Sequence, residues 1–147
     1  ATLKENLGGQ LRAALQAGSP ASAMQACQQV AALTTTAIGD SFEGVTIRRT
    51  TLKPRNPGNS PDEMDRKVLL MLAASAEMPK SHSEWTEDTG RYYEPLIMQE
   101  ICLKCHGEPS LFSDELRGKL ETLYPDDQAT GFGLGELRGV IRVDVRR

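Results

Sequence analysis

Cys102-Leu103-Lys104-Cys105-His106 constrains this chain more than any other stretch. Two thiols three positions apart, followed at once by an imidazole, form the five-residue pattern of c-type haem attachment. Chemistry explains the spacing. Each thiol can add to one vinyl group of haem, and the adjoining His then lies under the porphyrin plane, where its imidazole can bind iron. The composition holds 3 Cys and 2 His in 147 residues. Random shuffling produces the pattern in about one arrangement per thousand, so its presence is informative. The motif therefore points to one covalently bound haem c per chain, with Cys102 and Cys105 as anchors and His106 on the metal.

Other sulfur chemistry fits less well. A redox dithiol of the thioredoxin type needs a βαβ context, and the chain lacks that alternation. A structural zinc needs four ligands, which Cys102, Cys105, His106 and Cys27 could in principle supply. However, a second knuckle at the usual short spacing is missing. A zinc-stapled interaction domain is thus a competing reading that a visible spectrum would separate from haem.

A net charge of −3 and a pI near 5.4 argue against nucleic acid as a partner, and Lys and Arg form no long block. No run reaches the roughly 20 apolar residues of a membrane-spanning helix. The longest, Val68 to Ala74, has the length of a core helix. The chain starts at Ala1 without an initiator Met, as a removed export signal or trimming would leave it. Together with haem c, this start sets the expected location as periplasmic or otherwise extracytoplasmic.

Residues 1–147 read as one domain. Thr2-Leu3-Lys4-Glu5 has the form of a capping box, and Leu3, Leu7, Leu11, Ala14 and Leu15 recur at helical spacing. Gly18, Ser19 and Pro20 supply a stop, an N-cap and a first helical position, so a second helix is expected from about Pro20 to Ala37. A strand follows from Val45 to Lys53, then a Pro-rich loop and a helix opening at Ser60-Pro61-Asp62-Glu63. In that helix Met64, Val68, Met71 and Leu72 mark the buried stripe. Strands near His82–Glu87 and Arg91–Met98 would join at Asp88-Thr89-Gly90. After the cysteine motif come a helix from about Ser113 to Leu123 and a closing strand from Leu137 to Val145. In the last, Ile141, Val143 and Val145 are expected inside, with Arg142 and Asp144 wet. This order implies an α+β fold, an antiparallel sheet flanked by helices, with two helices at the N-terminal end.

Iron has a second axial position. Cys27, His82 and the methionines Met24, Met64, Met71, Met78 and Met98 all offer a suitable atom. Met64 and Met71 read as core filler, and His82 as a solvated loop residue. Met24 stands one helical turn from Cys27. Read from the residues alone, Cys27 is equally a ligand and a buried inert thiol.

Four segments together resemble the c-type haem family with a PAS-like fold, which occurs as standalone exported cytochromes and as sensor regions of membrane signalling proteins. They are Ala21 to Cys27, with its lone Cys; Arg49 to Pro61, with Arg-Asn-Pro-x-Asn-x-Pro; Cys102 to Gly107; and Tyr124-Pro125-x-Asp127-x-Ala129-Thr130-Gly131-Phe132 with Gly135 and Gly139. Thr51 and Pro54 depart mildly from the pattern. The resemblance implies His and Cys as the axial pair, which fall on His106 and Cys27. It also implies a sheet core with helices around it. The arginine-bearing segment has a physical reading of its own, because a guanidinium fork pairs with a haem propionate. Arg49 and Arg55 are the stronger candidates, Arg48 the weaker, and Asn56 is a loop donor.

The expected function is an exported monohaem cytochrome acting in electron transfer or redox poise, with a redox partner protein. An anionic thiolate opposite His would stabilise ferric iron. With both axial positions filled, no catalysis is expected. The alternative is a redox or gas sensor, in which loss of the Cys ligand admits NO or CO. A homodimer through Gly8, Gly9 and the first helix is open.

Overall fold

The computed structural model describes residues 3–24, 35, 37 and 42–146. Helix α1 spans Leu3–Ala17; Thr2, the first half of the expected capping box, lies outside the described residues. The chain then breaks and restarts as expected. Ser19 Oγ accepts the Ser22 N–H at 3.3 Å, the Ser19 carbonyl accepts from Ala23 at 3.0 Å, and residues 20–24 are helical.

Among the described residues four strands form one antiparallel sheet: β1 (Val45–Thr50), β2 (His82–Trp85), β3 (Thr89–Ile97) and β4 (Leu137–Arg146). Their order is β1-β4-β3-β2. Helix α2 (Glu63–Ala73) lies on one face, where Val68, Leu69 and Leu72 pack with Tyr93 of β3 and Val140 of β4. Two helices separate β3 from β4: α3 (Glu100–His106), which carries the cysteine motif, and α4 (Asp114–Leu123), capped by Ser113. The fold class is therefore α+β, as the sequence implies.

β1 ends three residues before the expected Lys53. Beyond Thr50 the backbone leaves the ladder, and the Thr51 N–H donates to the Asn59 carbonyl at 3.1 Å. Gly139 permits the close passage here, since a Cβ on it would stand 2.6 Å from the Thr50 carbonyl oxygen. Arg48 Nη2 donates to the carbonyls of Gly58 (3.3 Å) and Ser60 (2.9 Å), and Asn56 Oδ1 accepts the Gly58 N–H at 2.9 Å. These bonds fold the Pro-rich loop back on β1.

Three local expectations are corrected. The β2–β3 turn sits at Thr86 to Thr89, where the Thr86 N–H donates to the Thr89 carbonyl at 2.9 Å; Thr89 and Gly90 already belong to β3. In β4 Arg142 is buried, at 6% exposure, whereas Val145 is 39% exposed. In α2 Met71 is exposed and Met64 half-buried, while Asp65 and Leu69 take the inner positions.

The last two corrections share one cause. Asp65 is fully buried and accepts Arg142 Nη1 at 3.0 and 2.9 Å and the Tyr93 hydroxyl at 3.1 Å. Arg142 also donates to Asp62 at 3.0 Å and to Asp144 at 2.7 and 3.0 Å. A charge can be buried when it is paired and hydrogen-bonded on every side. Pairing Asp65 with Arg142 turns the helix stripe by one residue and puts the charged side of β4 inward. Hydrophobic periodicity cannot register that exchange.

Candidate functional site

The motif forms a short helix, so Cys102 and Cys105 stand one turn apart on neighbouring positions. Each meets a different apolar cluster. Cys102, with Leu103, packs against Met98, Ala129 and Phe132. Cys105, with Tyr124, packs against Ala21, Met24, Phe112, Leu116 and Leu120. Its sulfur lies 3.9 Å from the Pro20 carbonyl oxygen. The start of the second N-terminal helix and α4 thus close on one thiol, and the 129–132 segment closes on the other.

His106 ends α3. Its Nδ1 lies 2.7 Å from the Ala129 carbonyl oxygen. A carbonyl only accepts, so this contact assigns the ring proton to Nδ1 and leaves the lone pair on Nε2. Burial first, and then the nearby cations Arg138 and Arg55, push the imidazole down to about 3. The ring is therefore neutral at ordinary pH, which is the form that binds a metal. A ligating His whose other nitrogen donates to a backbone carbonyl is the usual arrangement in metal sites. Two further bonds tie the end of the motif to the same segment: the Phe132 N–H donates to the His106 carbonyl (3.0 Å) and the Gly131 N–H to the Gly107 carbonyl (2.8 Å). The Phe132 ring stands edge-on to the imidazole at 6.4 Å.

Positive charge collects around this ring. Arg55 Nε donates to Asp127 Oδ2 at 3.0 Å, and its Nη2 donates to the carbonyls of Cys105 (2.6 Å) and Ala129 (3.2 Å). Lys53 Nζ donates to the Thr130 carbonyl at 2.6 Å and sits 4.4 Å above the Phe132 ring. Arg138 Nη1 donates to Thr51 Oγ1 at 2.9 Å and to the Lys53 carbonyl at 3.2 Å. Burial, followed by the fields of Arg55 and Arg49, lowers Arg138 to about 10. Among the described residues no carboxylate reaches ion-pair distance of Lys53 or Arg138, and Asp127 is already engaged by Arg55. Among the described residues the site carries more cations than carboxylates. Lys53 and Arg138 also border a cleft of about 90 Å³ beside Leu52, Leu69 and Phe132, far too small for a macrocycle.

The structure brings Cys102, Cys105, His106 and Arg55 together. Arg49, on β1, lies close enough to act on Arg138 and Tyr124 electrostatically. Arg48 and Asn56 are engaged in shaping the 54–60 loop. His82 is in β2, 2.7 Å from Glu84 and beside the Tyr93 ring, and the fold does not bring it to the motif. Met24 and Met98 are core residues of the two clusters that touch the thiols, and Met78 packs against the α2 cluster. Cys27 lies outside the described residues. Lys53, Asp127, Ala129, Phe132 and Arg138 were not singled out as site residues from the sequence. Asp127, Ala129 and Phe132 fall within the 124–132 signature and Lys53 within the Arg49–Pro61 segment, which is the available signal; Arg138 reads as an ordinary strand residue. Among the described residues no three His, Cys, Asp or Glu side chains are placed to hold a metal ion, and no helix is long and apolar enough to cross a membrane.

Comparison with known proteins gives two findings. The model of the Tll0287-like family matches residues 3–146. The chain also superposes on the crystal structure of the cyanobacterial heme-protein Tll0287 with a TM-score of 0.78. That match has 22% identity and covers 99% of this chain and 91% of that one. At this identity the likeness establishes the fold. No curated protein matches the chain.

Proposed function

The chain belongs to the Tll0287-like family, and from that premise we propose that it binds haem c as an electron-transfer or redox-poising protein. In this reading Cys102 and Cys105 would anchor the haem through thioethers, and His106 Nε2 and Cys27 would ligate its iron. Haem supplies a one-electron iron couple when bound. The observation that carries the reading is the state of His106: a half-buried, neutral imidazole whose Nδ1–H is tied to the Ala129 carbonyl. That geometry leaves one nitrogen free to ligate beside two thiols.

Two further observations fit. The cations Lys53 and Arg138, which meet no carboxylate at ion-pair distance among the described residues, suit a group carrying two carboxylates. The two apolar clusters that flank Cys102 and Cys105 offer surface for a flat hydrophobic ring. The choice of Cys27 rests on the sequence resemblance. Two protein ligands would fill the axial positions and leave no site for substrate, so the protein is not an enzyme in this reading. The cysteine chemistry suits an extracytoplasmic compartment, with a redox protein as partner.

The test is direct. The chain is exported in a host with haem-ligation machinery, then examined by intact mass and a pyridine haemochrome spectrum. The expected mass is that of the polypeptide plus one haem, with the spectrum of two thioether bonds. A colourless protein with the mass of its amino acids alone overturns the proposal.

A further inference from the structure

We propose that Arg55 is a positioning residue for His106, setting through the Ala129 carbonyl how strongly the imidazole donates to iron. This rests on the haem reading. The sequence offered Arg55 as a propionate partner, but in the fold its Nε and Nη2 are directed into the protein itself. One nitrogen, Nη2, bridges two carbonyls that both matter to His106. The Cys105 carbonyl, at 2.6 Å, belongs to the peptide that enters His106. The Ala129 carbonyl, at 3.2 Å, is the acceptor of the His106 Nδ1–H. Asp127 completes the ring of contacts: its Oδ2 holds Arg55 Nε at 3.0 Å and its Oδ1 takes the Ala129 N–H at 2.8 Å. Arg55 and Asp127 are both 10% exposed at the side chain, so water competes little for these bonds.

The Ala129 oxygen thus serves two donors, one of them charged. A charged donor draws electron density from the oxygen and weakens it as an acceptor for the imidazole. The ring then keeps less imidazolate character, donates less to the metal and favours ferric iron less. Hydrogen bonding to the outer nitrogen is an established lever on ligand basicity, and charge close to a haem is another. Arg55 acts in the same direction through both.

The experiment uses the haem-loaded protein, with R55Q, R55K and, as a control outside the site, K67Q, which removes one positive charge from an exposed position of α2. Midpoint potentials are measured by spectroelectrochemistry, and the His106 Nδ1–H signal of the reduced protein by NMR with ¹⁵N-labelled histidine. R55Q is expected to lower the potential and move the Nδ1–H signal downfield as the freed carbonyl strengthens that bond. R55K keeps the charge but not the bridging fork, so it should recover part of the potential and not the NMR position. K67Q should change neither. A haem-loaded R55Q with wild-type potential and wild-type Nδ1–H signal overturns the assignment, even if its melting temperature falls, because Arg55 is then merely structural. A potential fully restored by R55K with an unmoved Nδ1–H signal also overturns it, because charge alone then suffices. Should R55Q fail to fold, an unmoved Nδ1–H signal in R55K is decisive by itself. These failures occur in coloured protein, which separates them from failure of the haem reading, where the wild type is colourless.

Discussion

Replacing Asp65 by Ala tests the buried charge network that holds α2 on the sheet. Asp65 has no exposed surface and accepts Arg142 at 2.9 and 3.0 Å, the Tyr93 hydroxyl at 3.1 Å and the Asp62 N–H at 3.2 Å. Removing one partner of a buried pair costs about 3–5 kcal/mol, because the other charge stays buried without its counterion. Here Arg142 keeps Asp62 and Asp144, which argues for the lower end, about 3 kcal/mol. For a chain of this size that corresponds to a fall in Tm of about 6–12 °C. Urea unfolding followed by circular dichroism, with wild type and variants at equal haem content, measures the loss as a shift in midpoint at constant slope. The double variant D65L/R142M, which removes both charges and keeps apolar volume, should recover much of the deficit. A loss below about 1 kcal/mol in D65A, or a double variant no better than the single, would refute the reasoning.

Other outcomes follow from the site and the core. Cys27→Ala should convert the ferric spectrum from low spin toward high spin and raise the potential; an unchanged spectrum would move the sixth ligand to another residue, such as Met24. Mixing the ferrous wild type with CO should give little or slow binding if Cys27 holds iron in both oxidation states, while fast, tight binding would favour gas sensing. Burial pushes Tyr93 up to about 12 from its ordinary 10.0. The folded state therefore holds this proton more tightly than the unfolded chain does. Its contribution is intact below pH 10 and is lost as pH rises through about 12. Alkaline unfolding of Y93F should lack that slope, and an identical alkaline limb in Y93F and wild type would rule it out.

The parts of the fold legible in the sequence were those written in short-range chemistry. Ser19 and Ser113 cap helices because their hydroxyls accept nearby N–H groups. The neighbouring placement of Cys102 and Cys105 was legible because a spacing of three residues on a helix sets two side chains one turn apart. What escaped depends on contacts between distant residues. Asp65 and Arg142 are 77 positions apart, so each reads as polar and is assigned to solvent. Arg138 reads as one side of a strand, and only the fold sets it near Lys53, Phe132 and Arg55. Arg55 itself stood out in its loop as a candidate arginine, but its partners, 50 and 72 residues away, did not. The partner of the His106 Nδ1–H is a backbone carbonyl, which no side-chain pattern encodes.

The paired bonds from Gly131 to Gly107 and from Phe132 to His106 have a consequence for how such chains vary. They pinch the backbone at both ends of the excursion from Glu108 to Thr130, so the ring's orientation is settled at the neck of that excursion. The length and shape of the middle portion, including α4, can then change without disturbing the imidazole. What such a change alters is the surface offered to residues 20–24. Chains with different inserts between motif and neck could therefore keep the setting of the imidazole while remodelling the wall around residues 20–24, a division of labour that lets the two diverge independently.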